Sequence, residues 1–234
     1  MPKKFLIRGG NKLEGEVKIS GSKNAALPII AASLLADSKV ILKNVPDIND
    51  VHKMCALLEV LNVKTKFEKN TLAIDPTKAK LREIPLKMTG EIRASILLLG
   101  AMLGRFKKAK IGYPGGCVIG RRSVSTHLIA LEQMGVKLQN VIDILSLDGR
   151  NIKGRKIVMR EPSVTATENV IMAAALAPGE TEIRLAASEP HVQDLCKFLN
   201  KMGAKIKGMG TNNLQIEGVK KLKGVTYSII GDYI

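Results

Sequence analysis

The chain has 234 residues, of which 45% are apolar and 3% aromatic, with no tryptophan and a formal net charge of +16. Such a length and apolar share suffice for one large domain or two small ones and exclude a disordered chain. The excess of lysine and arginine suits anionic partners, but so few aromatic rings leave little from which to build base-stacking platforms, so small anionic molecules or a generally lysine-rich composition explain the charge better than nucleic acid does.

In chain order, residues 3 to 20 read as two short strands, Lys4–Arg8 and Gly15–Ile19, divided by the turn Gly9-Gly10-Asn11. The start Met1-Pro2-Lys3-Lys4-Phe5 has no apolar core of the signal-peptide kind, so none is expected. Ser22-Lys23-Asn24 then opens a segment, Ala25 to Ala36, that is apolar on every side. A helix of that composition requires burial all round, with Pro28 expected about its first turn. It is shorter than the roughly 20 residues that span a bilayer, and a soluble cytoplasmic protein without a membrane partner is expected. A strand, Lys39–Asn44, follows. Asp47-Ile48-Asn49-Asp50, rich in residues that cap helices, precedes an amphipathic helix to about Leu61, and Val63–Phe67 pairs with Thr71–Ile74 as a hairpin.

The same order of elements returns twice. Leu58-Glu-Val-Leu-Asn-Val-Lys64 matches Leu131-Glu-Gln-Met-Gly-Val-Lys137 and Leu199-Asn-Lys-Met-Gly-Ala-Lys205, a period of about 70 residues. The fifth position of each copy is Asn62, Gly135 or Gly203, residue types that accept the left-handed conformation where a helix turns directly into a strand. Upstream of each copy lies an almost wholly apolar helix: Ala25 to Ala36, Ile92 to Leu103, and Asn169 to Ala177. Three such helices satisfy one another if they pack together, which predicts one pseudo-threefold α/β domain with strands and amphipathic helices outside. Their N-termini then fall in related places, at Ser22-Lys23-Asn24, at Glu91-Ile92-Arg93 and at Ser163-Val164-Thr165-Ala166-Thr167. Helix N-termini attract anions, and Lys23 and Arg93 add full charges there.

The stretch Tyr113 to His127 joins an expected strand to an expected helix and holds the most reactive candidate. Pro114, Gly115 and Gly116 break regular structure before Cys117, and Gly120, Arg121 and Arg122 follow. Neighbouring guanidiniums and a helix that Ser123 could cap would favour the thiolate; the plainer alternative is that Cys117, like most lone cysteines, is a small buried hydrophobe. Cys55, Cys117 and Cys196 are too far apart for a zinc site or a disulfide framework, so a reducing compartment is expected. Gly21-Ser22-Lys23 lacks the spacing of a phosphate-binding loop, and Glu189 and Asp194 are expected on the surface of a helix.

The motifs Lys18-Ile-Ser-Gly-Ser-Lys-Asn-Ala-Ala-Leu-Pro28, Arg93-Ala-Ser95, Gly115-Gly-Cys-Val-Ile-Gly-Arg-Arg122 and Ser188-Glu-Pro190 resemble the N-terminal half of the UDP-N-acetylglucosamine 1-carboxyvinyltransferases, an enolpyruvyl transferase family. The resemblance covers essentially the whole chain. It implies an inside-out α/β barrel-like domain of three repeated units around buried helices, one of the family's two domains. Residues 22–229 would form that domain, in units of about 22–88, 89–155 and 156–229. Residues 1–21 would be strands of the second domain, and 230–234 the start of the crossover to it.

The implied reaction moves an enolpyruvyl group from phosphoenolpyruvate to the 3′-hydroxyl of UDP-N-acetylglucosamine, releasing phosphate, at the first committed step of peptidoglycan precursor synthesis. No cofactor or metal is implied. By motif match Cys117 would be the general acid, the thiol that fosfomycin alkylates, and Lys23 and Arg122 would be catalytic too, binding phosphoenolpyruvate and stabilising developing charge, with Arg93 in support. Asn24, Ser123, Val124, Ser125, Ser163, Val164 and Thr165 would hold the sugar nucleotide. Ser123 and Ser125 stand where the family has proline and aspartate, and Thr165 where it has glycine. The shikimate-pathway relative lacks the Gly-Gly-Cys loop. Without the second domain the chain is expected to be inactive, to self-associate or to need a complementing chain; the alternative is a non-catalytic nucleotide-binding or interaction fragment.

Overall fold

The computed structural model describes residues 4–115, 123–141 and 143–234. Its first unit runs α1 (Lys23–Ala32), a 3₁₀ turn (Ser33–Leu35), β1 (Val40–Lys43), α2 (Asn49–Val60), β2 (Lys64–Glu68) and β3 (Thr71–Asp75). The second runs α3 (Leu86–Thr89), a 3₁₀ turn (Arg93–Leu97), α4 (Leu98–Phe106), β4 (Lys108–Gly112), α5 (Ser125–Gln133), β5 (Lys137–Val141) and β6 (Ile144–Asp148). The third runs β7 (Lys156–Val158), α6 (Val164–Ala175), β8 (Glu180–Arg184), α7 (Pro190–Met202), β9 (Lys205–Lys207) and β10 (Asn213–Glu217), and β11 (Thr226–Ser228) follows.

Three small sheets share one topology, with strand orders β11-β1-β3-β2, β4-β6-β5 and β7-β8-β10-β9. In each, the strand after the buried helix lies antiparallel to the last strand of its unit, as in the registers Val40↔Ile74, Ile111↔Leu145 and Ile183↔Leu214. Each also gains a parallel neighbour from an adjoining segment: β11 beside β1, Ile84 beside Ile111, and β7 beside β8. Because β11 returns to the first sheet, the three units close into a ring. The same backbone bond recurs in all three, from Lys80 to Leu61 O, Lys153 to Met134 O and Lys223 to Met202 O, at 2.8, 3.1 and 2.8 Å.

The three apolar helices are buried as their composition requires, over Ala25–Ala32, Leu98–Gly104 and Ala166–Ala175. α4 packs tightly on α6 at Gly100, whose N–H donates to Asn169 Oδ1 at 2.6 Å, and where an added Cβ would sit 2.3 Å from the Asn169 carbonyl oxygen. The helix-to-strand turns use positive φ at Asn62, Gly135 and Gly203 (62°, 92° and 108°), and the Asn62 amide also donates to Lys78 O at 2.7 Å.

Several expectations are corrected. Residues 4–20 form no strand; Phe5, Leu6 and Ile7 are 95, 92 and 85% exposed. A strand needs a partner for its backbone groups, and among the described residues the backbone bonds that tie this stretch to the rest are at its end, where Asp232 N donates to Ser20 O and Gly21 bridges Gly231. The helix expected to Ala36 leaves α geometry at Ser33, whose hydroxyl donates back to Ile29 O at 2.8 Å, and Pro28 lies in the second turn of α1. The helix expected from Asn169 begins one turn earlier, at Val164. Ile48, with no side-chain cap, precedes α2.

Asp194 is not a surface residue. It is 1% exposed and accepts from Tyr227 Oη at 2.6 Å and Ile230 N at 3.3 Å, joining α7 to the segment that closes the ring. Glu189 is half-buried, with one carboxyl oxygen fully enclosed.

Candidate functional site

Side-chain contacts link the starts of the three buried helices in sequence. At the first, Ser22 caps α1 and accepts from Ala25 N at 3.4 Å. Lys23 Nζ lies 3.6 Å from Asp50 Oδ2 in the first turn of α2, and Asn24 is half-buried beside it in sequence. One turn along α2, Lys53 Nζ lies 3.4 Å from Glu91 Oε2, next to the second start. These half-exposed ion pairs add little stability, but they tether both starts to one turn of α2.

At the second start, Arg93 extends toward α5. Its guanidinium donates to Ser123 O at 3.0 Å and to Pro114 O at 3.5 Å. Ser123 is exposed, and its hydroxyl accepts from Ser125 N at 3.0 Å and pairs with Ser125 Oγ at 2.8 Å. The expected cap is thereby shifted: Val124, buried at the N-cap of α5, has no capping side chain, while Ser123 serves the first helical N–H from one residue further back.

The third start joins through His127. Its Nε2 lies 2.8 Å from Thr165 Oγ1, and Thr126 Oγ1 donates to Glu161 Oε1 at 2.9 Å. Ser163 is the N-cap of α6 without a side-chain cap bond, and Val164, its first residue, packs against the core. His127 is 4% exposed, with Nδ1 unpartnered among the described residues. Burial, and next the Arg93 charge, lower its pKa to about 4, so the imidazole is neutral near pH 7.

Lys23, Arg93, Ser123, Ser125 and Thr165 are thus joined, through Asp50, Lys53, Glu91 and His127, by a run of contacts between the ends of α1, α5, α6 and the Arg93–Leu97 turn. Cys117, Arg121 and Arg122 lie outside the described residues. Four members of this network, Asp50, Lys53, Glu91 and His127, have no functional role predicted from the sequence. His127 closes the Tyr113 to His127 stretch, but the lack of a second histidine at helical spacing gave no sign of a polar role. Among the described residues no group of three or more His, Cys, Asp or Glu side chains could hold a metal, and no helix is long and apolar enough to cross a membrane.

Lys23 and Arg93 at the first two starts, and the hydroxyls of Ser123, Ser125 and Thr165 along the links, are groups of the kind that recognise anions. Comparison with known proteins shows the family and the fold. The family model for EPSP synthase (3-phosphoshikimate 1-carboxyvinyltransferase) matches residues 7–234. The UDP-N-acetylglucosamine 1-carboxyvinyltransferase of Treponema denticola is 49% identical over 231 residues, covering 98% of this chain and 54% of that protein. That of Borreliella burgdorferi is 47% identical over 230 residues, with the same coverages of 98% and 54%. Among solved structures, the enolpyruvyl transferase NikO from Streptomyces tendae superposes with a TM-score of 0.81 at 22% identity, over 96% of this chain and 53% of that one. EPSP synthase from Acinetobacter baumannii gives 0.77 at 18% identity, over 93% and 50%. The chain spans about half the length of the curated relatives it matches. It belongs to the enolpyruvyl transferase family, on the branch of the UDP-N-acetylglucosamine 1-carboxyvinyltransferases.

Proposed function

We propose that this chain carries one half of a site that transfers an enolpyruvyl group from phosphoenolpyruvate to the 3′-hydroxyl of UDP-N-acetylglucosamine, serving peptidoglycan precursor synthesis in the cytoplasm. The observation that supports this most is the linked run of contacts Lys23–Asp50, Lys53–Glu91, Arg93–Ser123 and His127–Thr165, which ties the three helix starts to one another. Two anionic substrates must meet there despite mutual repulsion. Cations and backbone N–H groups held in place beforehand offset that repulsion without reorganising during the reaction.

In this reading Lys23 and Arg122 hold phosphoenolpyruvate, Arg93 supports the anion while fixing Ser123 and Pro114, and Cys117 supplies a proton. Asn24 and the stretches Ser123–Ser125 and Ser163–Thr165 hold the sugar nucleotide. Residues 22–229 are one domain of a two-domain enzyme, and residues 1–21 and 230–234 lead to the other. This chain by itself binds the sugar nucleotide weakly and does not turn over. Phosphate release from phosphoenolpyruvate and UDP-N-acetylglucosamine is the test: background-level release by the chain supports the reading, and release above background contradicts its half-site character. The exposed apolar side chains of residues 5–19 favour a second reading of the same fragment, as one that associates with itself or with a complementing chain. Sedimentation distinguishes these, a clean monomer at high concentration counting against self-association.

A further inference from the structure

On α6, one turn beyond Thr165, Glu168 is 1% exposed, and neither carboxyl oxygen has a hydrogen-bond partner among the described residues. The titratable groups that act on it or feel its charge are Glu189, which precedes α7, the fully buried Cys196 of α7, and Tyr233 of the C-terminal segment. Glu189 also has a buried, unpartnered oxygen, Oε2. The Tyr233 hydroxyl meets His191 Nδ1 at 2.5 Å, with the two rings stacked 6.0 Å apart, and Asp232 adds a further negative group beside them. A buried ionised carboxylate here would carry its charge without a hydrogen bond and would face a second acid, whereas a proton removes the cost of the buried charge and the repulsion.

We propose that Glu168 is held as a neutral carboxylic acid in the folded chain, so that the contact between α6 and α7 is a proton-linked latch. Ionisation releases the proton to solvent and leaves a carboxylate that must reach water, which it does only when α6 and α7 separate. A cation would serve less well than a proton, because among the described residues no third ligand completes a site. The burial that raises the Glu168 pKa well above its ordinary 4.5 gives the direction of the linkage. Below that ordinary value both folded and unfolded chains carry the proton. As pH rises above it the unfolded chain loses the proton first, so stability falls until Glu168 ionises in the fold as well. Cys196, its thiol pushed up to about 12 chiefly by burial, lies behind the same contact and reports on its opening.

The test compares the full chain with its Glu168→Gln variant. In infrared difference spectra at neutral pH, the native chain should show a protonated-carboxyl C=O band that the variant lacks. In urea unfolding between about pH 5 and pH 9, the unfolding constant of the native chain should rise relative to the variant by up to about tenfold per pH unit, the slope of one linked proton. Peptide-resolved alkylation should show Cys196 of the native chain reacting faster than that of the variant at the alkaline end. If the variant fails to fold, the infrared band titrated in the native chain alone decides the matter. Absence of the band in folded protein at neutral pH, or parallel unfolding profiles, would overturn the proposal. So would a thermal midpoint raised by sodium, potassium or magnesium chloride in the native chain but not in the variant, which would show a bound cation in place of the proton.

Discussion

Arg93 holds the carbonyl of Ser123 at 3.0 Å and that of Pro114 at 3.5 Å, so one side chain secures both ends of the stretch that contains Cys117. A guanidinium can serve two carbonyls at once because its donors are fixed in a planar fork, which an ammonium cannot reproduce. Arg93→Leu should lower the unfolding free energy by about 1–2 kcal/mol, since hydrogen bonds to a charged donor are lost from a half-buried position. Arg93→Lys should recover less than half of that loss. Urea denaturation of the three proteins checks it, and equal stability of the Lys variant and the native chain would count against the two-ended role.

The His127–Thr165 contact should appear as a pH effect. His127 is neutral in the fold, with a pKa of about 4 against an ordinary 6.5. Within that window the unfolded chain takes up a proton that the folded chain refuses, so stability is lost as pH falls from 6.5 to about 4. The contribution is on the order of 3 kcal/mol. A His127→Gln variant should show a flatter acid limb in urea unfolding, and an imidazole titrating near its ordinary value by NMR would refute the burial argument. Separately, Thr165→Val leaves Nε2 without its recorded partner and should cost about 1–3 kcal/mol at neutral pH.

Closure of the ring rests partly on Asp194 and Tyr227, whose hydroxyl donates to Asp194 Oδ1 at 2.6 Å. Tyr227→Phe should destabilise by about 2 kcal/mol, because a buried carboxyl loses its nearest donor. In a double-mutant cycle with Asp194→Leu, the Tyr227→Phe change should become nearly neutral; additive losses would show that the two side chains act independently.

Gly100 and Gly203 should respond differently to alanine. At Gly100 the new Cβ would lie 2.3 Å from the carbonyl oxygen of Asn169, a clash that neighbouring helices must separate to relieve. At Gly203 nothing lies within 4 Å, and only the positive φ of 108° opposes the change. Losses of about 3 kcal/mol and about 1 kcal/mol are expected, respectively, by thermal or urea unfolding. The reverse order would contradict the close packing of α4 on α6.

Periodicity made much of this fold readable. Asn62, Gly135 and Gly203 mark the same helix-to-strand turn in each unit because the left-handed conformation admits few residue types, and wholly apolar helices have no place but the interior. The strands misread at Lys4–Arg8 and Gly15–Ile19 show where periodicity stops: alternation qualifies a segment to pair without supplying its partner. Asp194 and Glu168 were hidden for another reason. A carboxylate in a helix reads as solvent-facing, and only tertiary packing reveals the Tyr227 hydroxyl that satisfies the first or the lack of any group that satisfies the second. Lys23, Arg93 and Thr165 could be picked out as lying at helix starts, but the links between those starts run through Asp50, Glu91 and His127, which no motif marks.

The most direct measurement of the half-site is the rate at which fosfomycin labels Cys117, followed by peptide-resolved mass spectrometry with and without UDP-N-acetylglucosamine. If the connected helix starts hold the sugar nucleotide, labelling should be faster in its presence, and Thr165→Val or Arg93→Leu should reduce that acceleration. Equal labelling rates with and without the nucleotide, in chain shown to be folded, would contradict the account.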